Sequence, residues 1–82
     1  MNKLLVEFLG TFVFTLAVLY SNDAVIVGMT LTLIMHFLGG GDFNPALSVM
    51  GLLSGGSVTK ILKKVGMQVA GTLVASQIST LL

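Results

Sequence analysis

The 82 residues include no Cys, no Trp and no Arg, a single His, a single Pro and only seven charged side chains. Charged residues make up 9% of the chain, against about 25% in an ordinary soluble domain. So few charges cannot cover a water-soluble body of this size. The length allows one small domain, and small soluble domains usually rely on disulfides or metals. With no Cys and one His, neither staple is on hand. That excludes a disulfide scaffold and a zinc module. A hydrophobic content of 55% excludes a disordered tail. A net charge of +1 is far below the basic footprint of a nucleic-acid binder, so no nucleic-acid partner is expected. What remains is a membrane protein with the lipid bilayer as its surroundings.

The chain is apolar in blocks. Leu4 to Tyr20 is broken only by Glu7, Gly10 and two Thr. As a helix it would span roughly 25 Å, just enough for a hydrocarbon core of about 30 Å. Ser21-Asn22-Asp23 is a turn cluster. Ala24 to Leu38 is a shorter block of roughly 22 Å. Gly39 to Pro45 cannot be regular helix. Pro45 to Leu53 reads as about two and a half helical turns, ended by Ser54-Gly55-Gly56-Ser57. Ile61 to Leu82 is the last block, with Lys63 and Lys64 near its start. No segment alternates between apolar and polar residues as a strand would, and membrane strands would have to close into a barrel. The expected fold is an all-α membrane protein, a single domain over residues 1–82. It has three transmembrane helices at about 4–21, 24–38 and 60–81 and one re-entrant half-helix at 45–53.

Lys3 before an apolar block loosely fits a secretory signal. Glu7 interrupts it, however, and no small-x-small cleavage site precedes Asp23, so cleavage is not expected. With three spans and a re-entrant helix, Lys3, Lys60, Lys63 and Lys64 fall on one membrane face and Asp23 on the other. The positive-inside rule then places the N-terminus in the cytoplasm, in a multi-pass topology with Leu82 opposite.

The most specific feature is Gly39-Gly40-Gly41-Asp42-Phe43-Asn44-Pro45-Ala46-Leu47. Asn44 is a strong N-cap, and Pro45 stands at its preferred first helical position. A helix therefore starts inside apolar sequence, with its positive end preceded by glycines that leave carbonyls unobstructed. Such irregular backbone survives at membrane depth only inside protein or along a wet cavity, and pores and transporter sites are built this way. An ordinary interhelical loop would use the same residues. A phosphate cradle is disfavoured, because Ala46 and Leu47 stand where Lys and Ser/Thr would follow.

These residues resemble the first Asn-Pro-Ala loop of the major intrinsic protein family, the aquaporins and aquaglyceroporins. Glu7-Phe8-Leu9-Gly10-Thr11-Phe12 resembles the family's Glu-Phe-x-Gly-Thr-Phe, Asn44-Pro45-Ala46-Leu47-Ser48 its Asn-Pro-Ala-Val-Thr, and Gln68-Val69-Ala70-Gly71 its Gln-x-x-Gly. Order and approximate spacing agree, and the resemblance covers nearly the whole chain. Family members carry two inverted repeats of this unit; this sequence resembles the first alone. The selectivity-filter Arg of the second repeat has no counterpart, Asp42 stands where the family often has His, and the ungapped match to the aromatic filter position is Ala24.

The resemblance implies one half of a channel for water or small neutral solutes such as glycerol, completed by a second copy or by a complementary half-channel chain. In it the carbonyls of Gly40, Gly41, Asp42 and Phe43 accept hydrogen bonds from the permeant. Asn44, in the loop with Pro45 and Ala46, donates one. Glu7 is either a brace for the loop, as the resemblance implies, or a residue at the headgroup boundary. Asp42 either complements the positive end of the half-helix or faces the pore. Gly10, Gly28, His36, Gln68 and Gly71 are assigned to helix packing, with His36 hydrogen-bonded between helices. Lys60, Lys63 and Lys64 are expected to anchor at lipid headgroups. No ligand set points to a metal, no cofactor is implied, and the acids show no pairing suited to catalysis. The alternative is a non-conducting membrane protein, structural or truncated, that keeps the fold of the half-repeat.

Overall fold

Four polar side chains decide where the helices begin. The computed structural model of the chain describes residues 2–82. Asn2 Oδ1 accepts from the N–H groups of Leu4 and Leu5 at 2.7 and 3.3 Å and starts α1, Lys3–Tyr20. Asp23 Oδ1 accepts from Val25 and Ile26 at 3.0 and 3.1 Å and starts α2, Ala24–Leu38. Asn44 Oδ1 accepts from Ala46 at 2.8 Å and starts α3, Pro45–Leu53. Ser57 Oγ accepts from Lys60 at 3.4 Å and starts α4, Val58–Leu81. Each cap satisfies N–H groups that the helix itself leaves open. The chain is all-helical, with no strand among the described residues. The Ser57 cap explains why α4 begins two residues ahead of the expected Lys60.

Glycine stops two of these helices. Gly39 takes the left-handed conformation at φ 79°, and the Gly40 N–H closes back on Met35 O at 2.8 Å. Gly55 does the same after α3 at φ 98°, with Gly55 and Gly56 donating to Leu52 O and Gly51 O, each at 3.0 Å. Both ends follow the Schellman pattern, in which a residue without Cβ avoids the left-handed penalty.

α1 is the central element. It packs against α4 on one side and α2 on the other, while α3 rests on α4. α1 and α4 approach closely because Gly71 is buried between them. A Cβ there would lie 2.6 Å from Phe8 O and 3.1 Å from Phe12 N. One turn on, Ala75 is fully buried, and the Thr15 and Thr72 hydroxyls meet at 3.3 Å. The path between α2 and α4 doubles back. Gly39 borders a cleft near Lys3, Phe43 reaches Gly10 two turns further along α1, and α3 returns the chain to the lysines that open α4.

The interior is unusually polar. Buried Val6, Ile34, Phe43, Ile61 and Ala75 share it with buried Glu7, Thr11, Ser48 and Gln68. The outside is correspondingly apolar: Val25, Ile26, Met29 and Leu33 on α2 and Leu47, Val49, Met50 and Leu53 on α3 are exposed. Apolar surface this continuous marks contact with something other than water. Only α1 is long and apolar enough to cross a membrane by itself; α2 is apolar but shorter. α4 opens with three Lys and carries Ser, Thr and Gln along its length.

Two packing assignments fail within this chain. Gly28 and His36 lie on the exposed side of α2. A Cβ on Gly28 would meet nothing within 4 Å, and His36 makes an edge contact only with its neighbour Phe37, ring centroids 5.1 Å apart. The reason is rotational: α2 turns Ile34, with Leu31 and Leu38, toward α1 and Phe43, which leaves the Gly28–His36 stripe outside.

Gly71→Ala is expected to destabilise by about 1–3 kcal/mol, since the methyl meets backbone that cannot retreat without separating the helices. Gly66→Ala, where a Cβ meets nothing within 4 Å, should be neutral or stabilising by about 0.5–1 kcal/mol. Thermal unfolding of both variants in detergent, followed by circular dichroism, checks the pair; equal midpoints would refute the proposed crossing.

Candidate functional site

Residues 39–44 have no regular structure of their own, so their backbone groups need outside partners. One carboxylate supplies most of them. Glu7 is 2% exposed. Its Oε2 accepts from the Asp42 N–H at 3.0 Å and its Oε1 from the Phe43 N–H at 2.9 Å. Gln68 Nε2 donates to the same Oε1 at 3.0 Å and also to Ser48 Oγ at 3.0 Å. Ser48 in turn donates to Asp42 Oδ2 at 2.8 Å. A single connected network thus ties α1, the loop, α3 and α4 together. A headgroup-boundary position does not fit a side chain this buried and this fully engaged.

Phe43 shows how firmly the loop is held. Its φ is 54°, a left-handed conformation that costs a residue with a Cβ on the order of 1–2 kcal/mol. The N–H bond to Glu7 and a 2%-exposed ring compensate. The ring lies so close over Gly10 and Gly41 that a Cβ on either would sit 2.1 or 2.5 Å from it. Gly10 therefore makes room for a loop aromatic rather than for another helix. The Phe43 side chain belongs to the core with Val6 and Ile34, which leaves only its backbone for any role in a lumen.

Asp42 joins the first turn of α3 through Ser48 and also pairs with Lys64 Nζ at 3.3 Å. Lys64 is thereby drawn into the site, a correction to its expected place among the headgroup anchors. Both side chains are about 30% exposed, so the pair orients the loop more than it stabilises the fold. Gly40, Gly41 and Asp42 border a cleft of about 360 Å³ that also reaches Lys3 and Lys64. Asn44, Pro45 and Ala46 are exposed beside it. The Asn44 oxygen is used in the cap, so its amide NH₂ remains a fixed donor with no partner among the described residues. Gln68 Oε1 and Thr11 Oγ1 are buried and unpaired within the chain. Among the described residues no His and carboxylates gather to hold a metal ion.

Three participants carry no assignment from the sequence: Ser48 as a relay, Lys64 as a partner of Asp42, and the Phe43 ring as a plug. Ser48 had a usable signal, lying four residues after the cap and so on the same helical face as Asn44. The other two pairings are tertiary and leave no periodic trace. The chain matches no protein-family model, no curated protein and no solved structure.

Glu7→Gln keeps one acceptor but turns an NH₂ toward a backbone N–H. The expected cost is about 1–3 kcal/mol, concentrated in the loop. Hydrogen exchange should show lost protection at the Asp42 and Phe43 amides while the centre of α4 stays protected. Unchanged protection at both amides would remove Glu7 from its role.

Proposed function

We propose that this chain forms one half of a membrane pore for water or small neutral solutes such as glycerol. In this reading α1, α2 and α4 span the bilayer and α3 is the re-entrant half-helix. The observation that carries it is the Asn44-capped start of α3, held in the interior of an apolar-surfaced bundle by Glu7 and Gln68. The exposed apolar faces of α2 and α3 and the gathering of all four Lys around one recess support the same reading. By the positive-inside rule the lysine end is cytoplasmic. The resemblance to the first repeat of the major intrinsic protein family agrees with each of these features.

The mechanism follows from fixed donors and acceptors. The glycine-rich backbone at 40–43 offers carbonyls to a file of permeants, and the unpaired Asn44 NH₂ donates to the molecule beside it. The positive end of α3 opposes cations. One half-helix supplies one such end, so a second unit must complete the lumen. Two identical copies in opposite orientation would place four Lys on each face, against the positive-inside rule; a complementary chain is the partner favoured over a second copy. The second reading is a non-conducting membrane protein with the same fold unit. It is favoured by one observation: α1 alone is long and apolar enough to cross by itself.

Asn44→Asp should keep the cap, remove the donor and place a negative charge at the positive helix end, giving a folded protein with altered water flux and a cation leak. Asn44→Ala should lose about 0.5–2 kcal/mol with the cap. Osmotic swelling and ion flux of proteoliposomes, with and without a partner chain, read both. Wild-type vesicles that swell no faster than empty ones in every assembly would leave the non-conducting reading. Swelling unaltered by Asn44→Asp would remove Asn44 from the pore.

A further inference from the structure

The cytoplasm-assigned end of the bundle holds a second recess, separate from the cleft beside the loop. It has a volume of about 170 Å³ and is lined by Lys3, Leu4, Lys60, Lys63 and Lys64. These are all the lysines of a chain that has no Arg. Lys3 opens α1, and Lys60 lies in the first turn of α4, so two positive helix ends point the same way. Negative charge is scarce there. Asp23 caps α2 at the far end of α1, and Glu7 is engaged by the loop and Gln68. Asp42 pairs with Lys64, the one salt bridge among the described residues. Lys3, Lys60 and Lys63 are left without an acidic partner there.

From this cluster we propose that the recess is a binding site for an anionic phosphate headgroup of a membrane lipid. Like charges are gathered here at a cost that a phosphate dianion relieves. The walls are almost wholly carbon, from Leu4 and the lysine stems, and such walls suit a phosphate carried on an apolar stem better than a free ion. Basic pockets between helices on the cytoplasmic side bind phosphate headgroups by this combination. The site also touches the first cleft. Lys64 borders both cavities, so a phosphate competes with Asp42 for the same ammonium, and headgroup occupancy is coupled to the loop that leads to α3. The site stands whether or not the chain conducts.

The test uses the full chain in phosphatidylcholine nanodiscs, with phosphatidic acid as the lipid probe and inorganic phosphate in nonionic detergent as the soluble probe. Phosphatidic acid should bind saturably with a stoichiometry of one. Lys60→Gln with Lys63→Gln should weaken it about thirtyfold. Gln77→Glu, which lowers the net charge at the other end of α4, should change it less than about twofold. Asp42→Asn frees Lys64 and should tighten binding. Circular dichroism of each variant establishes that it folds. Binding that never saturates, or that falls equally in Lys63→Gln and Gln77→Glu, would reduce the cluster to diffuse surface charge and overturn the site. Inorganic phosphate binding as tightly as the lipid would overturn the headgroup assignment. Unchanged binding in Asp42→Asn would overturn the coupling to the loop.

Discussion

Everything distinctive in this structure depends on the carboxylate of Glu7 lying inside the bundle. A loop of six residues without regular structure cannot be buried unless its N–H groups are satisfied. Glu7 satisfies two of them, at Asp42 and Phe43, and takes a third bond from Gln68. Those bonds fix Phe43 in a left-handed conformation, and the fixed backbone aims its ring at Gly10. The start of α3 follows from there, since Asn44 is the next residue. Gln68 passes the constraint to Ser48 within α3. A connected polar network of this kind specifies one arrangement more sharply than apolar packing, because partial satisfaction is costly.

The polar interior and apolar exterior are two sides of one constraint. A short chain has few residues to bury, and here several buried positions go to Glu7, Thr11, Ser48 and Gln68. The large aliphatic side chains are left outside. In water that distribution would forfeit most of the hydrophobic stabilisation available to so small a body. In the proposed bilayer setting, exposed Val, Leu, Ile and Met carry no penalty, and the helices associate through close backbone approach and interhelical polar contacts. Gly71 and the Thr15–Thr72 pair are contacts of that type.

The helices were legible because their punctuation is local. Apolar blocks end at Ser21-Asn22-Asp23, at Gly39 and at Gly55, and each cluster caps or stops a helix where it stands. Ser57 was the one cap passed over, and it moved the start of α4. The orientation of α2 was not legible. Its sequence is apolar on nearly every face, so periodicity cannot say which stripe turns inward; Gly28 and His36 were assigned to packing and lie outside. The same limit hid the Asp42–Lys64 pair and the Phe43 plug, which join residues far apart in sequence or depend on a backbone angle no residue type announces. The loop residues themselves were visible, since Asn-Pro after three Gly demands a helix start after an irregular stretch.

Lys64 shows how the two ends of this argument meet. It belongs to the lysine cluster that opens α4, yet its ammonium reaches Asp42 in the loop. Asp42 is held from three sides: its N–H by Glu7, its carboxylate by Ser48 and by Lys64. The first two contacts are inside the bundle and involve groups with little freedom to move. The lysine contact is the partly exposed one and the longest of the three. A charge arriving at the lysine end therefore acts first on that contact, and Ser48 and Glu7 hold the loop while it does. The geometry separates a rigid part, which keeps Asn44 in place, from an adjustable part at the rim of the cleft. For a pore, that separation would let surface charge change the electrostatics of the entrance without disturbing the Asn44 cap.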